Sequence, residues 1–216
     1  MFNIIFLLLI LSCSAIRQSC IIFFTGGSNI MSPTIYSDFL SNIEKKHRVV
    51  KIPFLSFTNN MYKYLLHQFK QEYNTITYLA HSSGATTAIN NINSDIDKLI
   101  LLDPVATPTI NYQIDLKNLK SFTIINAELS FKWSYIPPFI PFIPIFTLNT
   151  SNLLIDKQMI TCIDIKDYGH SDIIDNPYRD IMHFSRLSVG NRDRKNNIND
   201  YHIRLSNIID NIINND

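Results

Sequence analysis

The sequence predicts an α/β fold, a three-layer sandwich on a mostly parallel sheet of about six strands. Three observations carry that prediction. Short apolar, β-branched runs alternate with segments of helical periodicity along most of the chain. The runs are apolar throughout rather than alternating, as expected of strands covered on both faces. Residues suited to polar chemistry stand just after the runs, where an open parallel sheet binds its ligands.

The strands come first. Residues 20–25 (CIIFFT), 48–54 (RVVKIPF), 75–80 (TITYLA), 97–102 (DKLILL), 121–126 (SFTIIN) and 158–165 read as strands. The fourth ends at Asp103-Pro104, because proline cannot continue the ladder. Between them lie amphipathic segments. Ser32-Pro33 is a helix start, with a capping side chain and proline at the first position. Tyr36, Phe39, Leu40 and Ile43 then fall on one apolar face. A second helix follows Asn59-Asn60, and a third spans residues 83–92. Leu205, Ile208, Ile209, Ile212 and Ile213 form the apolar face of a C-terminal helix.

Composition narrows the function. The chain has 216 residues, 46% hydrophobic and 17% charged, enough for one domain with a sizeable core, assigned to residues 16–216. The net charge is +1, and the one basic cluster, at 186–195, reads as a solvated loop. No nucleic-acid partner is expected. No cofactor or metal is expected either. The chain lacks an HExxH motif, and Gly26-Gly27 lacks the further glycine of a dinucleotide turn.

Residues 1–15 resemble a secretory signal peptide: an apolar run at 4–11, then Cys13-Ser14-Ala15 before a cut after Ala15. Secretion is the expected localisation, with a cytoplasmic or membrane-associated protein as the alternative. The other reading of the run is a buried strand beside the one at Cys20. It is too short to span a membrane, which takes about 20 apolar residues. Cys20 and Cys162 fall on strands four positions apart, about 19 Å, too far for a disulfide.

Residues 131–146 form an apolar insert with prolines at 137, 138, 141 and 144, which exclude a regular helix or central strand. The insert either wraps over the core or walls an apolar substrate pocket, with Trp133, Tyr135 and Phe139 as lining and contact with a lipid surface as a further expectation.

The chemistry centres on Ala80-His81-Ser82-Ser83-Gly84, a small-x-Ser-x-small turn between a strand and a helix. That is the layout of a nucleophile elbow, in which small flanking residues relieve crowding around the serine. Asp103 follows the fourth strand and His170 the last, so serine, acid and histidine occur in the order of an α/β-hydrolase triad. Ser82 is the candidate nucleophile and His170 its base. Gly26, Gly27 and Ser83 are candidate oxyanion-hole residues. Glu128, after the fifth strand, is an alternative acid to Asp103.

LLDPV, 21 residues from Ser82 to Asp103, resembles the acid motif of pancreatic-type lipases and plant chlorophyllases. KDYGHSDIIDNP at 166–177 resembles the catalytic-histidine segment of chlorophyllases, and FFTGGSN and AHSSGA stand where that family has its oxyanion loop and its GHSRGG elbow. The resemblance covers roughly residues 20–178. It implies an α/β-hydrolase fold, Asp103 as the acid, and a serine carboxylic-ester hydrolase acting on a lipid-like or other apolar ester. Ala80, Ser83 and Ala85 depart from the chlorophyllase elbow. Acyl transfer, thioester cleavage and non-catalytic lipid binding are the alternative functions.

Overall fold

The computed structural model describes residues 19–27, 31–52, 59–128, 146–175, 178–179 and 198–215. Residues 1–15, expected as a signal peptide, lie outside these residues, as does all but the end of the Pro-rich insert, with Trp133, Tyr135 and Phe139.

Strands β1 (Ser19–Phe24), β2 (Arg48–Lys51), β3 (Thr75–His81), β4 (Lys98–Leu102), β6 (Ser121–Ala127) and β8 (Ile160–Ile165) form one sheet in the order β2-β1-β3-β4-β6-β8. Every pairing in it is parallel. Helices α1 (Ser37–Glu44), α2 (Asn59–Glu72), α3 (Gly84–Asn90) and α4 (Ile198–Asn214) cover it. This is the three-layer α/β sandwich on a parallel sheet that the sequence predicts.

Strand pleating divides the core in two. Successive side chains point to opposite faces. Cys20, Ile22 and Phe24 of β1, Tyr78 and Ala80 of β3, and Leu99 and Leu101 of β4 pack on one face with Leu66 of α2 and Ala85, Ala88 and Ile89 of α3. Ile21 and Phe23, Leu79, and Ile100 and Leu102 pack on the other face with Phe39, Leu40 and Ile43 of α1 and Leu205, Ile209 and Ile213 of α4. Uninterrupted apolar strands are therefore the sequence form of two cores fed by one sheet. The two edge strands are the exceptions, with Arg48 and Lys51 exposed on β2 and Thr161, Cys162 and Asp164 exposed on β8.

Two local features depart from the pattern read along the chain. The helix expected from Ser32-Pro33 begins as a 3-10 turn, Pro33–Tyr36, and becomes α-helical only at Ser37. The Ser32 hydroxyl accepts the Thr34 N–H, as a cap should. A small ribbon, β5 (Val105–Ala106) against β7 (Phe146–Thr147), has two residues a side, too few for a periodic signal.

At the amino end of β4 the buried Lys98 donates to the carbonyls of Ile212, Ile213 and Asn215. A cation there satisfies the last carbonyls of α4 and opposes its dipole. Among the described residues no helix is long and apolar enough to cross a membrane.

Cys20 and Cys162 are both free, on strands four positions apart in the sheet. Cys20 is buried and its thiol is pushed up to about 12, chiefly by desolvation, whereas Cys162 is exposed. Iodoacetamide should therefore modify Cys162 in the native protein and Cys20 only after denaturation. Peptide mass spectrometry checks this, and native labelling of Cys20 would contradict its burial in β1.

Candidate active site

The registers align the strand ends on one edge. Phe24 pairs with Ala80, His81 with Leu102, Leu102 with Ile125, and Ala127 with Ile165. The residues just past each strand are therefore gathered along one rim: Gly26 and Gly27 after β1, Ser82 after β3, Asp103 after β4, Glu128 after β6 and His170 after β8.

Ser82 occupies the tip of the β3–α3 turn with φ of 55°, in the left-handed region that non-glycine residues rarely adopt. Such a conformation costs about 1–3 kcal/mol and persists only where neighbours over-determine it. Here they do. The Ser82 N–H donates to the Leu102 carbonyl at 3.0 Å. Its carbonyl accepts the N–H groups of Val105 at 3.0 Å and Ala85 at 3.1 Å. Gly84 explains the small residue behind the serine. A Cβ there would lie 2.8 Å from the Phe24 carbonyl oxygen and closer still to that of Thr25. Only glycine lets α3 start against the end of β1.

Asp103 has φ of 45°, and its N–H donates to the Ile125 carbonyl at 2.7 Å. Its carboxylate meets His170 Nδ1. A carboxylate accepts only, so Nδ1 carries the proton and Nε2 is the bare acceptor. His170 Nε2 lies 2.9 Å from Ser82 Oγ. The structure thus brings Ser82, His170 and Asp103 into one hydrogen-bonded chain, with His170 only 5% exposed. Beside Asp103 and His170 a void of about 10 Å³ is lined by Leu102, Ile125, Ile173, Tyr201 and Leu205. Burial, with Asp103 and Asp172 nearby, pushes the Tyr201 phenol well above its usual range, so it stays protonated.

Glu128 is not part of this chain. It is exposed and accepts the Asp167 N–H at 2.9 Å, which ties down the start of the histidine loop. The alternative acid read from the sequence is thus directed at Asp167 rather than at His170.

In the loop after β1 the Gly26 N–H donates to Tyr36 Oη at 3.1 Å. Gly27, exposed and with φ of 62°, turns the chain beside it. Ser83 directly follows the candidate nucleophile at the start of α3.

The histidine loop is held by further polar side chains that the sequence did not single out. Asp172 accepts the Gly169 N–H at 2.7 Å and pairs with Arg179 Nε at 2.7 Å, both partners buried. His202 Nε2 donates to the Asp172 carbonyl at 3.0 Å. Asp175 accepts the Asp38 N–H at 3.1 Å, and the Ser37 and Phe39 N–H groups also face it, so it caps α1 from across the fold. Burial still pushes its carboxyl up to about 6. His81 lies under His170, its ring 4.7 Å away and tilted by 34°. Asp172 reaches partners three and seven residues away, whereas His202, Asp175 and His81 act on partners distant in the chain, where no local pattern marks them. Among the described residues no group of three or more His, Cys, Asp or Glu is placed to hold a metal ion.

No protein-family model matches the chain, and no curated protein does. Among solved structures it is similar to one reported for LipS and LipT, two metagenome-derived lipolytic enzymes: 8% identity over 78% of this chain and 92% of that one, TM-score 0.47. It is similar to the esterase domain of a Rhodothermus marinus protein, 7% identical over 82% and 90% of the two chains, TM-score 0.46. A putative hydrolase from Pectobacterium atrosepticum is 13% identical over 86% and 98%, TM-score 0.43.

Burial, then the neighbouring His170, lower His81 to about 3, so its ring stays neutral in the fold. Unfolded, it titrates near the usual value of about 6.5. Stability from the neutral ring is therefore complete above about pH 6.5 and is lost as the pH falls towards 3. Between pH 7.5 and 5, the wild-type protein should lose about 2 kcal/mol more unfolding free energy than His81→Gln. Urea titrations at the two pH values measure the difference, and equal losses would show that His81 is not buried as a neutral ring.

Proposed function

We propose that this chain is a serine hydrolase that cleaves carboxylic esters through an acyl-enzyme, with Ser82 as nucleophile, His170 as general base and then acid, and Asp103 as the carboxylate behind it. The supporting observation is the hydrogen-bonded chain Ser82–His170–Asp103 on the rim of the sheet.

The chemistry is set by that geometry. A serine hydroxyl is a weak nucleophile and needs a base within hydrogen-bond reach. His170 Nε2 at 2.9 Å meets that requirement. As Ser82 Oγ attacks the ester carbonyl, its proton passes to Nε2. Asp103, holding Nδ1–H, stabilises the imidazolium that forms. The imidazolium gives the proton to the leaving alcohol as the carbon–oxygen bond breaks, and water repeats the sequence on the acyl-enzyme. The Ser83 N–H, directly after the nucleophile, is the first oxyanion donor in this reading. With Gly26 engaged by Tyr36, the Gly27 N–H is the second.

An apolar, lipid-like ester is the proposed substrate. The composition of residues 131–146 supports it, with Trp133, Tyr135 and Phe139 as the proposed wall. Secretion and contact with a lipid surface belong to the same reading and rest on the leader-like residues 1–15 and on that insert.

A fluorophosphonate probe should label the wild-type protein and fail on Ser82→Ala; labelling that survives the substitution assigns the nucleophile elsewhere. Asp103→Asn should lower turnover of a short-chain p-nitrophenyl ester by about 10³–10⁴-fold, and Glu128→Gln should leave it within about threefold. The reverse order of effects would transfer the acid role to Glu128.

A further inference from the structure

Beneath the Ser82–His170–Asp103 chain runs a second, fully buried series of hydrogen bonds that takes no part in the proton transfers. It starts at Gly26 in the oxyanion loop, passes through Tyr36 and His81, and ends at the backbone of His170. Tyr36 is 0% exposed and His81 2%.

Each bond in this series has one permitted direction. Neutral His81 carries a single ring proton. Its Nε2 lies 3.1 Å from the His170 carbonyl oxygen, which only accepts, so Nε2 holds that proton. Nδ1 is then a bare acceptor, and the Tyr36 hydroxyl 3.0 Å away must donate to it. Tyr36 Oη in turn accepts the Gly26 N–H at 3.1 Å. Met31 Sδ, 3.8 Å from the hydroxyl, adds only a weak sulfur contact. Every polar atom of the series has a partner, which is what makes a buried network rigid.

The neighbours prevent it from relaxing. The Tyr36 ring stands edge-on to Phe23, with centroids 5.1 Å apart and planes at 72°. A Cβ on Gly26 would meet Tyr36 Oη at 3.1 Å and His81 Nδ1 at 3.4 Å, so glycine lets the loop sit on this series. Ile35, next to Tyr36, accepts the Asp175 N–H at 2.8 Å. The turn carrying Tyr36 is therefore tied to the histidine loop at two points, His170 through His81 and Asp175 through Ile35.

We propose that Tyr36 and His81 are positioning residues: a one-directional hydrogen-bond relay that holds the oxyanion loop and the His170 backbone in fixed register, so that proton transfer from Ser82 and oxyanion capture occur in one geometry. This rests on the serine-hydrolase reading of the same site. Neither residue hydrogen-bonds to the reacting atoms; His81 only packs its ring against that of His170, 4.7 Å between centroids. Their effect falls on the transition state rather than on substrate affinity, because a misplaced base or donor costs rate while the binding surface is unchanged.

The test compares wild type with Tyr36→Phe, His81→Leu, His81→Gln and the Tyr36→Phe/His81→Leu pair. It measures kcat and KM on p-nitrophenyl butyrate, the rate of fluorophosphonate labelling, and the thermal unfolding midpoint. Tyr36→Phe and His81→Leu should lose about 10–100-fold in kcat and labelling rate, with KM within about threefold, at temperatures where they remain folded. His81→Gln, whose amide offers one donor and one acceptor, should recover most of the loss. The double variant should be no worse than the worse single by more than about threefold, because the two residues act as one unit. Wild-type kcat in the folded single variants overturns the relay, as does a loss that His81→Gln does not recover. If His81→Leu does not fold, Tyr36→Phe decides, since it removes one hydroxyl. Active wild-type protein with unimpaired variants rejects the relay alone. Wild-type protein that neither labels nor turns over esters rejects the hydrolase reading and, with it, any positioning role for the relay.

Discussion

The close approach of Gly84 to the carbonyls of Phe24 and Thr25 is the contact on which the site's layout depends. It brings the start of α3 against the end of β1, with no room for a side chain between them. Ser82, two residues earlier, then has to turn through the left-handed region at φ of 55° to reach the helix from β3. Asp103, one strand along, has φ of 45°. The turns interlock, because the Ser82 N–H bonds to Leu102 and the Val105 N–H bonds back to Ser82. Strain at both positions is thus held by the same few backbone hydrogen bonds, and two side chains of the proposed triad are aimed by it.

His170 reaches the site differently. It sits in a loop, and a loop has no ladder to fix it. Polar side chains hold it instead, from several directions. Glu128 holds Asp167, Asp172 bridges Gly169 and Arg179, Asp175 joins the loop to the start of α1, and His81 holds the His170 carbonyl. Buried polar groups placed this way stabilise only if all are satisfied, and their geometry is then specific. The cost appears in Asp175, whose carboxyl burial pushes up to about 6 despite three N–H groups around it. Lys98 shows the same principle at the opposite end of the sheet, where a buried ammonium closes the last turn of α4.

Much of the fold was legible along the chain. The apolar runs at 20–25, 75–80, 97–102 and 121–126 became β1, β3, β4 and β6 within a residue or two, because strands buried on both faces leave an unmistakable composition. Ser82, Asp103 and His170 were legible because each stands shortly after a strand. The choice between Asp103 and Glu128 was not legible from strand ends alone, since both occupy equivalent places on the rim. Asp103 meets Nδ1 and Glu128 meets the Asp167 N–H, a choice made only once the segments after β4, β6 and β8 are folded together. The engagement of Gly26 by Tyr36 was equally hidden, because ten residues of chain separate a donor and acceptor that meet only when α1 packs on the sheet.

By itself the sequence determined the order of strands and helices, the strained serine turn and the set of side chains able to do acyl chemistry. Local patterns encode these, through periodicity, small residues and strand-end positions. The tertiary structure decided which carboxylate faces the histidine, which N–H groups are already engaged, and that His81 lies beneath the site rather than outside it. Those outcomes depend on distances between segments tens of residues apart. No local pattern specifies such distances; they arise from how the two cores pack against one sheet.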